Sequence, residues 1–261
     1  MKHIPTSSST PVALLTDFGT GDWYVGVMKS CMLKKVPGLT FIDINHSIPP
    51  QDIRAAGFVF WNAFPYLPSG CIALLVVDPG VGSNRRILIS RIGEVTVVYP
   101  DNGILNFVLA EQENAKHFVA PTSYPVPHGP TFHGRDVFAP TVCRILLEPD
   151  VSDWAEPTDL PTPINPFATG EQGQVIYVDH FGNLITNLRL KSAPARNLGI
   201  GNQIIPFAST FAEVPEGTPL AYIGSSGLVE IAIRNGHAAN TFASLNNNQP
   251  PIGMECVILS S

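Results

Sequence analysis

Three acids in this chain stand where an α/β sheet would hand them to a ligand. The run Ile72 to Val77 is unbroken apolar sequence of strand length, and it stops at Asp78, ahead of Pro79, Gly80, Val81, Gly82 and then Arg85 and Arg86. Apolar runs of this kind mark strands buried on both faces, and ligands of open α/β sheets bind beyond the carboxyl ends of the strands. A charge pair at such an end is therefore a site candidate. A turn acid serving only local amides is the alternative. Val12 to Phe18 repeats the pattern, ending at Asp17 with Gly19, Thr20, Gly21 and Asp22 behind it, and Asp101 follows a third apolar strand in Pro100 to Gly103. His133 lies in Phe132-His133-Gly134-Arg135-Asp136, a glycine-bearing turn before an apolar helix, where an imidazole is free to face a cleft, a purely structural histidine being the alternative. Gly19 and Gly21 lack the third glycine of a dinucleotide fingerprint.

The elements that must position these groups read as alternating strands and helices. Strands are expected at 12–18, 40–45, 72–77, 86–92 and 94–99, with helices from Trp23 toward Pro37, from Gln51 toward Tyr66, around Ile104, Phe107 and Val108, and from Val137 to Leu147. Asp22 is placed to cap the first helix, whose apolar line is Trp23, Val27 and Cys31. Arg135 is placed to brace Asp136. The sum is an N-terminal Rossmann-like layered α/β domain with a mostly parallel sheet. The stretch Glu148 to Gly173, dense in Pro, Asp, Thr and Gly, reads as a connection, giving an N-terminal domain over 1–157, a linker over 158–172 and a C-terminal domain over 173–261. Beyond it come β segments without obvious helices, the pattern of an all-β barrel-like domain. Two of its turns, Tyr177 to Asn187 and Ile223 to Ala239, combine aromatic or glycine turns with Asp, Asn, Ser, Glu and Arg, as a polar nucleoside-like ligand would want.

Composition narrows the class. The 261 residues carry 14% charged side chains, 44% hydrophobic ones and a formal net charge of −6. The low charge content points to much buried or inter-subunit surface, and without dense runs of Lys and Arg neither nucleic acid nor an anionic membrane is an expected partner. Cys31, Cys71, Cys143 and Cys256 are far apart and show no CxxC spacing, as reduced thiols of a cytoplasmic protein would be. The N-terminal MKHIPTSSSTP has no apolar signal core, and no apolar run reaches the roughly 18 residues a spanning helix needs.

Taken together, Leu14 to Gly26, Val76 to Arg86, Tyr99 to Gly103, Phe132 to Asp136, Asp179 to Asn187 and Gly224 to Ala232 resemble, in order along nearly the whole chain, the S-adenosyl-L-methionine (SAM) hydroxide adenosyltransferases. These SAM hydrolases form adenosine and are related to fluorinase and chlorinase. The resemblance implies an N-terminal α/β domain, a C-terminal β-barrel domain and a homotrimer with inter-subunit sites. It implies a catalytic Asp78, Arg85 and His133, a ribose-binding Asp17, and Asp22 and Asp179 facing the methionine ammonium. It also puts Phe181 at the adenine platform with Asn183 as its polar partner, Ser226 on methionine, Arg234 and Asn235 near the adenine, and Phe132 and Glu230, within the shared motifs, among the substrate-binding residues. SAM is then the substrate, adenosine and L-methionine the products, and neither cofactor nor metal is required. Halide-using relatives have tyrosine where Asp78 stands, lack the histidine and carry an insertion between the positions of Arg85 and Tyr99, so this chain is similar to the hydroxide-using branch. Asp78 and Arg85 would position the water while His133 assists its deprotonation. Two other readings remain: a metal-dependent hydrolase using Asp17, Asp22, Asp78 and His133 as ligands, and a SAM- or nucleoside-binding sensor without chemistry.

Overall fold

The structure, a computed structural model, describes residues 10–112, 114–122, 131–191, 197–246 and 248–259. Most of the N-terminal segment and of the proline-rich stretch Pro121 to Pro130 lies outside the described residues. The chain divides into two compact units between Ile164 and Asn165.

The first unit runs β1 (Val12–Thr16), α1 (Tyr24–Lys35), β2 (Phe41–Asn45), α2 (Ile53–Ala63), β3 (Ile72–Val76), β4 (Ile87–Ile92), β5 (Val95–Pro100), α3 (Asn106–Leu109), β6 (Lys116–Ala120), α4 (Ala139–Leu147) and β7 (Glu156–Thr158). Its seven-stranded sheet has the order β2-β1-β3-β5-β4-β6-β7. The β1–β2, β1–β3 and β3–β5 pairs are parallel, and β4–β5, β4–β6 and β6–β7 are antiparallel. The sheet is therefore mixed rather than mostly parallel. The reason is the connection at Gly93, too short for a crossover, which leaves β4 and β5 only a hairpin with Ile92 opposite Val95. Alternate residues Val12, Leu14, Ile72, Leu74, Val76, Ile87 and Ile89 share one core with Met28 and Met32 of α1 and Val142 of α4. Ala13, Leu15, Ala73 and Leu75 point to the other face, where α2 packs on β1 and β2.

Several local readings shift. Trp23, not Asp22, is the N-cap of α1, and it makes no side-chain cap bond, so Asp22 is an exposed loop residue one position outside the helix. The buried line of α1 is Met28 and Met32, while Trp23 is 56% exposed. Strands β6 and β7 were not anticipated. The second lies within the stretch read as a connection and adds to the sheet edge by pairing His117 with Thr158.

The second unit runs β8 (Gln172–Val178), β9 (Leu184–Arg189), β10 (Asn197–Ile200), β11 (Gln203–Pro206), β12 (Pro219–Ile223), β13 (Leu228–Ile233), α5 (Ala238–Leu245) and β14 (Glu255–Ile258). Its antiparallel sheet has the order β11-β10-β14-β8-β9-β13-β12. The two end strands meet where Phe207 bridges Ala221 and the Ala208 N–H donates to the Ala221 carbonyl at 2.9 Å, leaving a nearly closed barrel. It is not all-β. Helix α5, capped by His237 accepting from the Asn240 N–H, lays Ala238, Ala239 and Phe242 on the barrel core. Its eight residues include Asn240 and Thr241, which weaken any helical signal.

Candidate active site

In-register pairing from Val12 opposite Ile72 to Thr16 opposite Val76 ends β1 and β3 level, so Asp17 and Asp78 emerge at one edge of the sheet. After Asp78 the chain turns tightly, with the Val81 N–H donating to the Asp78 carbonyl at 3.2 Å and the Ser83 N–H to the Gly80 carbonyl at 3.0 Å, which returns Arg85 alongside the acid. Arg85 Nε donates to Asp78 Oδ1 at 2.7 Å and to Oδ2 at 2.8 Å, and Nη2 closes on Oδ2 as well. The two side chains are 9% and 5% exposed, so the pair is held with little solvent between its members.

His133 immediately precedes a single π-helical turn, Gly134–Phe138, in which the Arg135 and Asp136 N–H groups both donate to the Phe132 carbonyl at 3.1 Å. Such turns recur at functional sites. The buried Asp136 is braced by Arg135 at 2.6 and 2.7 Å, as the sequence led us to expect. Arg85 Nη2 reaches His133 Nδ1 at 2.9 Å. A guanidinium can only donate, so Nδ1 accepts and the neutral ring carries its proton on Nε2. Burial pushes the imidazole below its ordinary value and Arg85 adds to this, outweighing Asp78 and Asp136, which favour the charged form.

A cleft of about 370 Å³ is lined by Asp17, Asp78 and His133 together with Phe18, Tyr24, Gln51 and Phe132. Tyr24 and Phe132 meet edge to face at 5.1 Å, and Phe18 lies 5.6 Å from Tyr24, forming an aromatic wall beside the acids. Asp17 Oδ2 accepts from the Gln51 N–H at 2.8 Å, and Gln51 holds a φ of 66°, a left-handed conformation uncommon for a residue other than glycine. Neither Asp22 nor Asp101 lines this cleft. Asp101 is paired instead with Arg86 at 2.7 Å.

In the second unit, Asp179 is bound by its own turn: Oδ1 accepts from the Phe181 and Asn183 N–H groups at 2.9 and 2.8 Å, and Oδ2 from Asn183 Nδ2 at 2.9 Å. The turn needs Gly182, with φ 83°, where a Cβ would lie 2.3 Å from the His237 ring. Phe181 is left 73% exposed. The Ser226 hydroxyl oxygen is buried with no hydrogen-bond partner among the described residues. Glu230, 8% exposed, accepts from the Tyr222 hydroxyl at 2.6 Å, and its other oxygen fills the space beside Gly224. Burial pushes the Glu230 carboxyl up and Asp179 adds to this, against the hydrogen bond from Tyr222. Arg234 spends Nη1 on the Val214 carbonyl at 2.7 Å, and Asn235 donates to Glu216 at 2.7 Å, so both side chains serve their own loops.

Gln51, Tyr24 and Tyr222 are polar residues of these regions that sequence reasoning passed over. The Tyr222–Glu230 pair becomes legible only once the β12–β13 register sets the two residues opposite each other. Among the described residues no group of three or more His, Cys, Asp and Glu side chains is disposed to hold a metal ion.

Fold and site together define a protein with a small-molecule cleft at the carboxyl edge of a mixed α/β sheet, followed by an antiparallel near-barrel. The SAM hydroxide adenosyltransferase N-terminal domain matches residues 12–154 and the corresponding C-terminal domain residues 173–248. The chain belongs to this family. It is 38% identical to the (R)-S-adenosyl-L-methionine hydrolase of Thermus thermophilus over 87% of this chain and 93% of that protein. It is 34% identical to the hydrolase of the same name from Salinispora arenicola, over 93% and 97%. A fluorinase from an Actinoplanes species is more distant, at 24% identity over 88% and 92%. Among solved structures, a conserved hypothetical protein from Thermus thermophilus superposes with a TM-score of 0.80 at 37% identity, covering 96% of this chain and 100% of the other. An uncharacterized conserved protein from Thermotoga maritima gives 0.82 at 27% identity, covering 95% and 100%.

Proposed function

We propose that this protein hydrolyses S-adenosyl-L-methionine to adenosine and L-methionine by in-line attack of water or hydroxide at ribose C5′, with neither cofactor nor metal. The observation that carries the reading is the convergence of Asp17, Asp78 and His133 on one cleft, two of them tied by Arg85. As the C5′–O bond forms, the C5′–S bond breaks and its electron pair neutralises the sulfonium, releasing methionine as a thioether. A sulfonium is already a good leaving group, so the protein's task is to hold a water in line and remove its proton. Asp78 keeps acceptor capacity beyond its bonds to Arg85 and orients that water. The role of proton acceptor passes from His133 to Asp78, because the Nδ1 lone pair is engaged by Arg85 while Nε2 holds a proton. A protonated alcohol oxygen is a far stronger acid than a carboxylic acid, so even an arginine-paired carboxylate takes the proton once the C–O bond is made.

Asp17 retains lone pairs for the ribose diol, and Phe132 walls the same cleft. Asp179 has an acceptor position left on Oδ2 for the methionine ammonium, Phe181 offers an open aromatic face for adenine, and the orphaned Ser226 hydroxyl is a ready methionine contact. Asp22, Asn183, Glu230, Arg234 and Asn235 complete the substrate-binding set as supports or contacts. The 73% exposure of Phe181 and 56% of Trp23 supports a homotrimer in which neighbours cover these rings. Four unpaired cysteines support a cytoplasmic setting, and no helix among the described residues is long and apolar enough to cross a membrane.

The metal-hydrolase reading requires a cation where the Arg85 guanidinium already engages both Asp78 and His133. Chromatography of a SAM incubation, with and without chelator and with chloride varied, tests the assignment. Adenosine and methionine formed insensitively to both additions are expected. SAM recovered intact, or turnover abolished by chelator, overturns it.

A further inference from the structure

The loop that carries Asp17 is pinned by a polar relay, buried at Thr16 and His46 and half-exposed at Asp43, that sends no atom into the cleft. Lys29 Nζ donates to Asp43 Oδ2 at 2.6 Å, and His46 Nε2 meets Asp43 Oδ1 at 2.9 Å. Burial works to raise the Asp43 carboxyl, but the hydrogen bonds from Lys29 and His46 outweigh it and hold the group below its ordinary value. A carboxylate can only accept, so Nε2 of His46 donates to Asp43, and in the neutral ring Nδ1 is left to accept. Thr16 Oγ1 lies 2.9 Å from Nδ1, so the Thr16 hydroxyl donates there and in turn accepts from the Phe18 N–H at 3.3 Å. The main chain adds a clamp, the Gly19 N–H donating to the His46 carbonyl at 2.7 Å.

Thr16 is fully buried and His46 is 7% exposed, at the end of a strand whose other positions, Val12 to Leu15, are apolar and fully buried. Stability alone does not call for this arrangement, since two apolar side chains of similar shape would fill the space as well. What the relay adds is direction. It fixes the residues before and after Asp17, while the Gln51 N–H, presented from a left-handed backbone, fixes Oδ2. Resting on the reading of Asp17 as the ribose acid, we propose that Thr16, His46 and Asp43, with Gln51, are positioning residues that aim the Asp17 carboxylate and set selectivity for a ribose bearing both hydroxyls.

The test compares kcat/KM for SAM and for its 2′-deoxyribose analogue, with folding followed by circular dichroism. Thr16→Val should lower kcat/KM for SAM about tenfold and that for the analogue by no more than about twofold, as loss of an oriented hydrogen bond requires. Thr16→Ser should restore the preference. Asp43→Asn, at a half-exposed side chain, supplies the same readout with less disturbance of the core should Thr16→Val not fold. Equal losses on both substrates, or an unchanged preference in a folded variant, overturn the proposal. Asp17→Asn separates the two levels. If it keeps the preference, the ribose assignment itself fails, whereas its loss alongside an unaffected Thr16→Val condemns the relay alone.

Discussion

On the proposed function, the two units hold polar groups for a charged ligand in opposite ways. In the first, two acids at the ends of buried parallel strands and a histidine before a π-turn are held by groups elsewhere in the chain, with lone pairs to spare on the acids: Asp78 by Arg85, seven residues on, His133 by Arg85 and Asp17 by Gln51. In the second, Asp179 is satisfied within five residues by its own turn, Phe181 is exposed, and one hydroxyl is left without a partner. Groups fixed by distant elements cannot relax when a bond is lost, as suits chemistry that needs alignment. Groups on self-contained turns can adjust, as suits binding. The first unit should therefore govern kcat and the second KM.

The sharpest way to break this contrast is Asp78→Asn, which keeps the shape but loses the charge that Arg85 faces. Steady-state kinetics should show kcat lower by about 100-fold or more, with KM little changed; a KM effect alone would erase the distinction. Asp179→Asn, which preserves an acceptor for the turn amides, should raise KM for SAM about tenfold with kcat within about twofold. A pH–rate profile sharpens the comparison next. Protonation of His133 would break the Arg85–Nδ1 bond and set a second cation against the Arg85–Asp78 pair; because the His133 value is depressed, the ring stays neutral below its ordinary titration, and kcat/KM should remain level from pH 8 to about 6.5, falling only at more acid pH. The sign for stability is the same: below about pH 6.5 the unfolded chain takes up the proton more readily, so this contribution is lost as pH falls. Asp136→Asn, removing a charge that favours the imidazolium, should move the acid limb lower still. The smallest effect belongs to Ser226→Ala, a KM rise of about two- to fivefold, worth about 0.5–1 kcal/mol, with thermal stability unchanged or slightly raised because a buried orphan hydroxyl is gone.

Some of this was legible in the chain and some was not, for reasons that differ residue by residue. Asp78 and Arg85 were readable because an apolar strand, a glycine turn and a returning arginine are contiguous, and seven residues suffice to close their contact. The contact of Arg85 with His133 spans 48 residues, and only the sheet brings it about. Asp101 shows the limit of reading strand ends alone: it has the same sequence context as Asp17 and Asp78, yet its partner Arg86 takes it away from the cleft. The cap assigned to Asp22 failed because α1 begins one residue later than propensity alone would start it. Helix α5 was hidden by its shortness, since its stability comes from packing Phe242 on the barrel core rather than from propensity.

By itself the sequence determined the order of elements that bear the motifs, the placement of acids after apolar runs, and membership of the family, because these rest on local pattern and contiguous residue types. Tertiary structure alone decided which strand-end acids share a cleft, that His133 holds its proton on Nε2, and that Thr16 leans on His46 as well as on its own turn. Those outcomes depend on register and on partners 30 or more residues apart. A hydrogen bond has a direction only when both its ends are in place.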